Sequence, residues 1–89
     1  MPTVFIPSLM RKLTNGQTIV AVEGETIGQV VTHLEILFPG IRQRIVDEGE
    51  NRIWPNIAVT VDGKVGRMGL REKVPPDCEI HFLPAIGGG

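Results

Sequence analysis

The chain has little cysteine, little charge of one sign and no long apolar run, and each shortage removes a class of function. Its single cysteine, Cys78, cannot form an internal disulfide. Nor can it supply a four-cysteine zinc or iron–sulfur site, so a ferredoxin is excluded. The formal net charge of −1 over 89 residues provides no basic field for nucleic acid. The local basic pairs Arg11-Lys12 and Arg42/Arg44 read as solvated faces or loops. No stretch approaches the roughly 20 apolar residues of a membrane span. The opening "MPTVFIPSLMRK" is too short for a secretory signal and is broken by Pro2 and Pro7. Neither an internal repeat nor a low-complexity tract is present. These exclusions imply a soluble, cytoplasmic protein with no nucleic-acid or membrane partner.

The hydrophobic fraction of 42% and charged fraction of 21% are those of one globular domain. "TVFI" (residues 3–6) reads as a strand. "SLMRKLTNG" follows as a loose connection closed by the turn pair Asn15-Gly16. "QTIVAV" (residues 17–22) is a second strand, and the two suggest a hairpin with a long link. The strongest helix signal follows. Thr26 and Gln29 stand at capping-box spacing. Ile27, Val30, Val31, Leu34, Leu37 and Phe38 form one apolar stripe, and Pro39-Gly40 stops the helix. Gly28 in the first turn is read as close packing on a sheet. "IRQRIV" is a short helix or helical turn, and "DEGENR" an acidic, mobile loop. "NIAVTVDGKV" alternates Ile57, Val59 and Val61 against Ala58 and Thr60 and turns at Asp62-Gly63. "GRMGLREKVPPD" is irregular, with room for one strand or helical turn. "EIHFLP" is the last strand, with Ile80 and Phe82 inward, His81 and Leu83 on the opposite side, and Pro84 at its end.

The order β-β-α-β-(short element)-β gives one good helix an apolar stripe that must be buried on a sheet. The economical answer is an α+β fold of the β-grasp, ubiquitin-like type. It has a mixed sheet of four to five strands packed on one main helix, with the last strand central beside the first. Residues 1–84 are then the β-grasp domain, and residues 85–89 an extended, flexible C-terminal glycine tail.

Ala85, Ile86, Gly87, Gly88 and Gly89 reach about 17 Å when extended. Three glycines without Cβ fit a channel no wider than the backbone and leave the terminal carbonyl open from either face. A frayed end is the competing explanation. At ordinary glycine usage, however, three in succession at fixed positions arise about 3 times in 10,000. The run is therefore read as a feature.

On "FLPAIGGG" the chain resembles the ubiquitin-like sulfur carriers of the MoaD/ThiS family, and the resemblance extends over essentially its whole length. Members close on an apolar strand, a proline, two small or apolar residues, a variable residue and Gly-Gly. The closing pair here is Gly88-Gly89, with Gly87 in the variable place. The resemblance implies a protein substrate without catalytic side chains and without a bound cofactor. An ATP-consuming, E1-like enzyme adenylates Gly89, and a sulfur donor converts it to a thiocarboxylate. Pro84, Ala85, Ile86, Gly87 and Gly88 are then the segment inserted into a partner's active site. His81 and Leu83 border the surface that docks on the partner.

"RIVDEGENRIWPNIAVTVDG", together with Ala85-Ile86 after Pro84, is similar to the carriers of cysteine biosynthesis. That branch implies a PLP-dependent cysteine synthase that accepts the tail, and a metal-dependent peptidase that frees the cysteine from Gly89. Two alternatives stay open: the small, sulfur-carrying subunit of molybdopterin synthase beside its large subunit, and a ubiquitin-like modifier conjugated through the same glycine. Lys12, Lys64 and Lys73 are conceivable acceptors of such conjugation, though nothing local selects them. A third reading is a non-covalent interaction module with an idle tail.

Other side chains suggest no chemistry. His33 is read as a solvated or edge histidine, Trp54 as core or loop packing, and Cys78 as a small buried residue. No set of histidine, cysteine and carboxylate stands at zinc spacing. Glu48 and Glu50 have no acid–base counterpart.

Overall fold

The computed structural model describes residues 1–85. Strands β1 (Thr3–Phe5), β2 (Ile19–Ala21), β5 (Ile57–Val61), β6 (Lys64–Val65) and β7 (Glu79–Pro84) form one five-stranded sheet in the order β2-β1-β7-β5-β6. β1 and β7 are parallel, and the other pairings are antiparallel. A parallel pair needs a long crossover, and helix α1 (Ile27–Leu37) lies within it. A shorter helix, α2 (Arg42–Ile45), leads into a separate two-stranded sheet of β3 (Val46–Asp47) and β4 (Arg52–Ile53).

The period-2 pattern of the strands and the 3.6-residue pattern of α1 meet in one core. Val4, Val20, Val59, Ile80 and Phe82 from the sheet join Ile27, Val30, Val31, Leu34 and Phe38 from α1 and its end. Ile41 and Ile45 bring α2 into the same cluster. The mixed β-grasp sheet, the principal helix and the central position of the last strand are as the sequence indicates.

Several local expectations are corrected. The Thr26 hydroxyl accepts from the Gln29 amide at 3.2 Å, as a helix cap should. The Gln29 side chain instead accepts from the Glu25 amide at 2.8 Å, one residue before the position a capping box requires. Leu37 is 54% exposed and leaves the apolar stripe. The close approach at Gly28 is not to the sheet: a Cβ there would meet the Leu70 carbonyl oxygen at 3.1 Å, on the 3-10 turn of Gly69–Arg71. "SLMRKLTNG" contains a 3-10 turn, Ser8–Met10. "DEGENR" is the connection of the β3–β4 hairpin and not only a loop, and Asp47 Oδ1 accepts from the amides of Gly49 and Glu50 at 3.1 and 3.3 Å. Asp62-Gly63, with φ of 49° and 83°, is the two-residue turn between β5 and β6.

The junction of α1 and α2 depends on Glu35. Its carboxylate accepts from Gly40 N at 3.0 Å and from Arg42 N at 2.8 Å, which satisfies amides in the tight link between the helices. The Gly40 bond first, and then the Arg42 bond, hold this carboxyl below its ordinary value near 4.5. A lowered folded-state value means that the stabilisation is complete above the ordinary carboxyl range and disappears as pH falls through the folded value. Glu35→Gln is therefore expected to cost about 1–2 kcal/mol at neutral pH. In urea melts of the two chains, the difference should shrink in acid.

Candidate functional site

The terminal segment is carried by β7, the middle strand of five. β7 is hydrogen-bonded on both sides, with Val4 opposite Ile80 in β1 and Val59 opposite Phe82 in β5. Pairing on both sides ends at His81, and the last strand residues, Phe82 to Pro84, are held by β5 alone. Pro84 is the last strand residue and lies opposite Ile57. A proline is tolerated there because the ladder is ending. Ala85 N still donates to Asn56 O at 2.9 Å, so the body holds the chain through that residue. Ile86, Gly87, Gly88 and Gly89, singled out in the sequence, lie outside the described residues.

Around this exit the sheet has one covered and one open face. Alternation turns Ile80 and Phe82 toward α1 and places His81 and Leu83 on the open side, as expected for both. The open face extends well beyond them. One unbroken cross-strand row runs Ile19, Phe5, His81, Thr60, Val65 through all five strands. Leu83 and Ala58 form the next row toward the tail. Ile19, Leu83 and Val65 are 53%, 44% and 63% exposed, so water meets an apolar strip with a histidine at its centre. The His81 ring stacks on Phe5, with centroids 4.2 Å apart and planes 9° from parallel. That stacking fixes the ring position and presents its edge. The sequence identified His81 and Leu83 but missed Phe5, Ile19, Ala58, Thr60 and Val65. Each strand's alternation was legible, but which strands lie side by side was not.

The remaining candidates serve the fold. His33 Nδ1 lies 2.7 Å from Glu23 O at the edge of α1. The Trp54 indole donates to Gln43 O at 2.9 Å and ties the end of β4 to α2. Cys78 is 1% exposed, and burial, followed by the Asp62 carboxylate, pushes its thiol above the ordinary range. It is therefore a poor nucleophile at neutral pH. Among the described residues no group of histidine, cysteine and carboxylate is placed to hold a metal ion. No helix among them is long and apolar enough to cross a membrane. What the described body provides is an exit at the end of β7 and an apolar face beside it.

Comparison with known proteins agrees with this arrangement. The ThiS family model matches residues 4–89. Sulfur carrier protein CysO of Mycobacterium tuberculosis is 33% identical over 90 residues, covering 98% of this chain and 97% of that protein. The structure superposes on Amycolatopsis orientalis CysO, solved in a BexX/CysO complex, with a TM-score of 0.89, 31% identity and full coverage of both chains. The crystal structure of M. tuberculosis CysO also gives 0.89, at 28% identity, covering 97% of this chain and 100% of that one.

Proposed function

Because the chain belongs to the ThiS/MoaD family and is a homologue of CysO, we propose that it is a sulfur carrier for cysteine biosynthesis, with the carboxyl of Gly89 as its working group. The observation that carries the reading is the full-length match to CysO sulfur carriers. The central, doubly paired β7, which leads directly into the glycine run, supports it.

The chemistry follows from the carboxyl group. A carboxylate resists attack because its substitution must expel oxide. Transfer of AMP from ATP by an activating enzyme gives an acyl-adenylate and pyrophosphate. Hydrosulfide then adds to the Gly89 carbonyl carbon, AMP departs with the electrons of the broken C–O bond, and loss of the S–H proton leaves a thiocarboxylate. Its sulfur is a soft nucleophile at neutral pH. No side chain of the carrier acts as acid, base or nucleophile, so it is a cosubstrate rather than a catalyst. Gly87 and Gly88 supply slenderness, and Pro84 and Ala85 mark where the body ends. An E1-like enzyme loads the tail. A cysteine synthase and a metal-dependent peptidase complete the cycle, and the Amycolatopsis orientalis BexX/CysO complex is the example of another protein assembled with a carrier of this type.

Intact-mass measurement after incubation with activating enzyme, ATP and sulfide tests the reading. The expected result is replacement of one oxygen by one sulfur, localised to the C-terminal peptide. Addition of a whole sulfur atom at Cys78, or attachment of the chain to lysines of other proteins, overturns it.

The open face is proposed as the docking surface. Leu83→Asp places a charge among apolar side chains beside the exit and is expected to weaken association with the activating enzyme by at least about tenfold, the range of a hot-spot residue. Leu83 is exposed in the free chain, so thermal stability should move little. Titration calorimetry and a melting curve read the two effects separately.

A further inference from the structure

We propose that the end of the body from which β7 emerges is a charge-matched seat for an enzyme whose tail-accepting opening is edged with carboxylates. This rests on the carrier reading and adds the chemistry of the partner.

Two hollows, of about 270 and 310 Å³, flank the end of β7 and share Pro7, Phe82 and Leu83. The first is bordered by Leu9 and Arg44, the second by Arg11 and His81. No aspartate or glutamate lines either one. Leu9, 82% exposed, and Leu83 supply an apolar centre. The guanidinium groups stand on either side of it. Arg11 Nε donates to Ile6 O at 3.3 Å, which holds that side chain at the end of β1. Arg44, from α2, is exposed and in no ion pair among the described residues, whereas its neighbour Arg42 is paired with Glu48 at 3.0 Å.

The strand directions place carboxylates at the opposite end of the sheet. Asp77 and Glu79 stand where β7 begins, Glu23 and Glu25 follow β2, and Asp62 lies in the β5–β6 turn. The Met1 ammonium, 2.8 Å from Asp77, together with Lys64 and Lys73, offsets part of that charge, so the contrast is local: the two hollows at the exit are lined by arginines and by no carboxylate. Such a field orients an approaching partner and raises its association rate, and salt screens it over a Debye length of about 10 Å. The occupant that fits is a protein edge with an apolar side chain to seat between Leu9 and Leu83 and carboxylates to meet Arg11 and Arg44. The surface is continuous with the open face through His81 and Leu83, so one partner can cover both.

The test measures association with Amycolatopsis orientalis BexX by stopped flow, at roughly 0.02 M and 0.5 M salt. Arg11→Glu/Arg44→Glu is expected to slow association at least about tenfold at low salt, with the gap closing to within about twofold at high salt. Lys64→Glu/Lys73→Glu makes the same change in net charge away from the exit and should stay within about twofold of the unaltered chain. Arg44→Glu alone, which disturbs no hydrogen bond among the described residues, should show about half of the logarithmic effect. Equal slowing by both pairs, no slowing by the arginine pair, or failure of the unaltered chain to associate overturns the proposal. The carrier reading is scored separately, by sulfur-for-oxygen exchange at Gly89 with the activating enzyme.

Discussion

Deletion of Gly89 is expected to reduce sulfur loading by at least about 100-fold, because on the proposed function the acyl carbon then ends one residue short of the activating site. The shortened chain still ends in a glycine carboxylate, so its intrinsic reactivity is unchanged. What changes is reach: the carboxyl withdraws by about 3.5 Å. A misplacement of about 1 Å already costs on the order of 100-fold in a reaction that depends on alignment. The folded body is expected to be indifferent to the loss, since the last backbone bond from the tail side among the described residues is that of Ala85 to Asn56. The measurement is the initial rate of sulfur-for-oxygen exchange, followed by intact mass, beside a thermal melt that should coincide with that of the full chain. A truncated chain loaded at the normal rate would remove Gly89 from the mechanism and favour an idle tail.

The second large effect is on the body. Leu34→Ala is expected to destabilise the fold by about 2–5 kcal/mol. Leu34 is fully buried in α1 and belongs to the cluster that joins the helix to the sheet, so truncation removes packing and leaves a void. Domains of this kind have about 5–15 kcal/mol in total, so the loss is a large share. The melting temperature should fall by on the order of 10–20 °C. Ile36, in the same helix but 71% exposed, is the control. Its replacement by alanine should stay within about 0.5 kcal/mol. At a temperature where Leu34→Ala remains folded, its loading rate should be close to normal, because Leu34 belongs to the core and lies on neither the open face nor the exit. Urea titration and the loading assay together separate a body that presents the tail from one that acts on it.

Much of the fold is legible because its elements are amphipathic. In α1 a residue advances about 100°, which places Ile27, Val30, Val31, Leu34 and Phe38 within roughly 60° of one line. Leu37 falls about 80° from that line, and its apolar character alone cannot tell an edge from a core position. The hairpin in "DEGENR" was hidden because its strands are two residues long, too short for alternation to register. The packing reason for Gly28 was assigned to the wrong neighbour, since the approach of residues 69–71 to α1 is a long-range fact.

The same division holds for the function. The sequence alone carries the resemblance in "FLPAIGGG" to the sulfur carriers, on which the proposed role of the glycine run rests, because the order of residues along a chain does not depend on how it folds. It also determined the main helix and the strands, since periodicity is local. Only the tertiary structure decided that Ile19, Phe5, His81, Thr60 and Val65 make one row, and that Arg11 and Arg44 flank the same exit. Those groupings depend on strand order and on where α2 packs. Both are settled by burying α1 against the sheet, and no spacing along the chain encodes them.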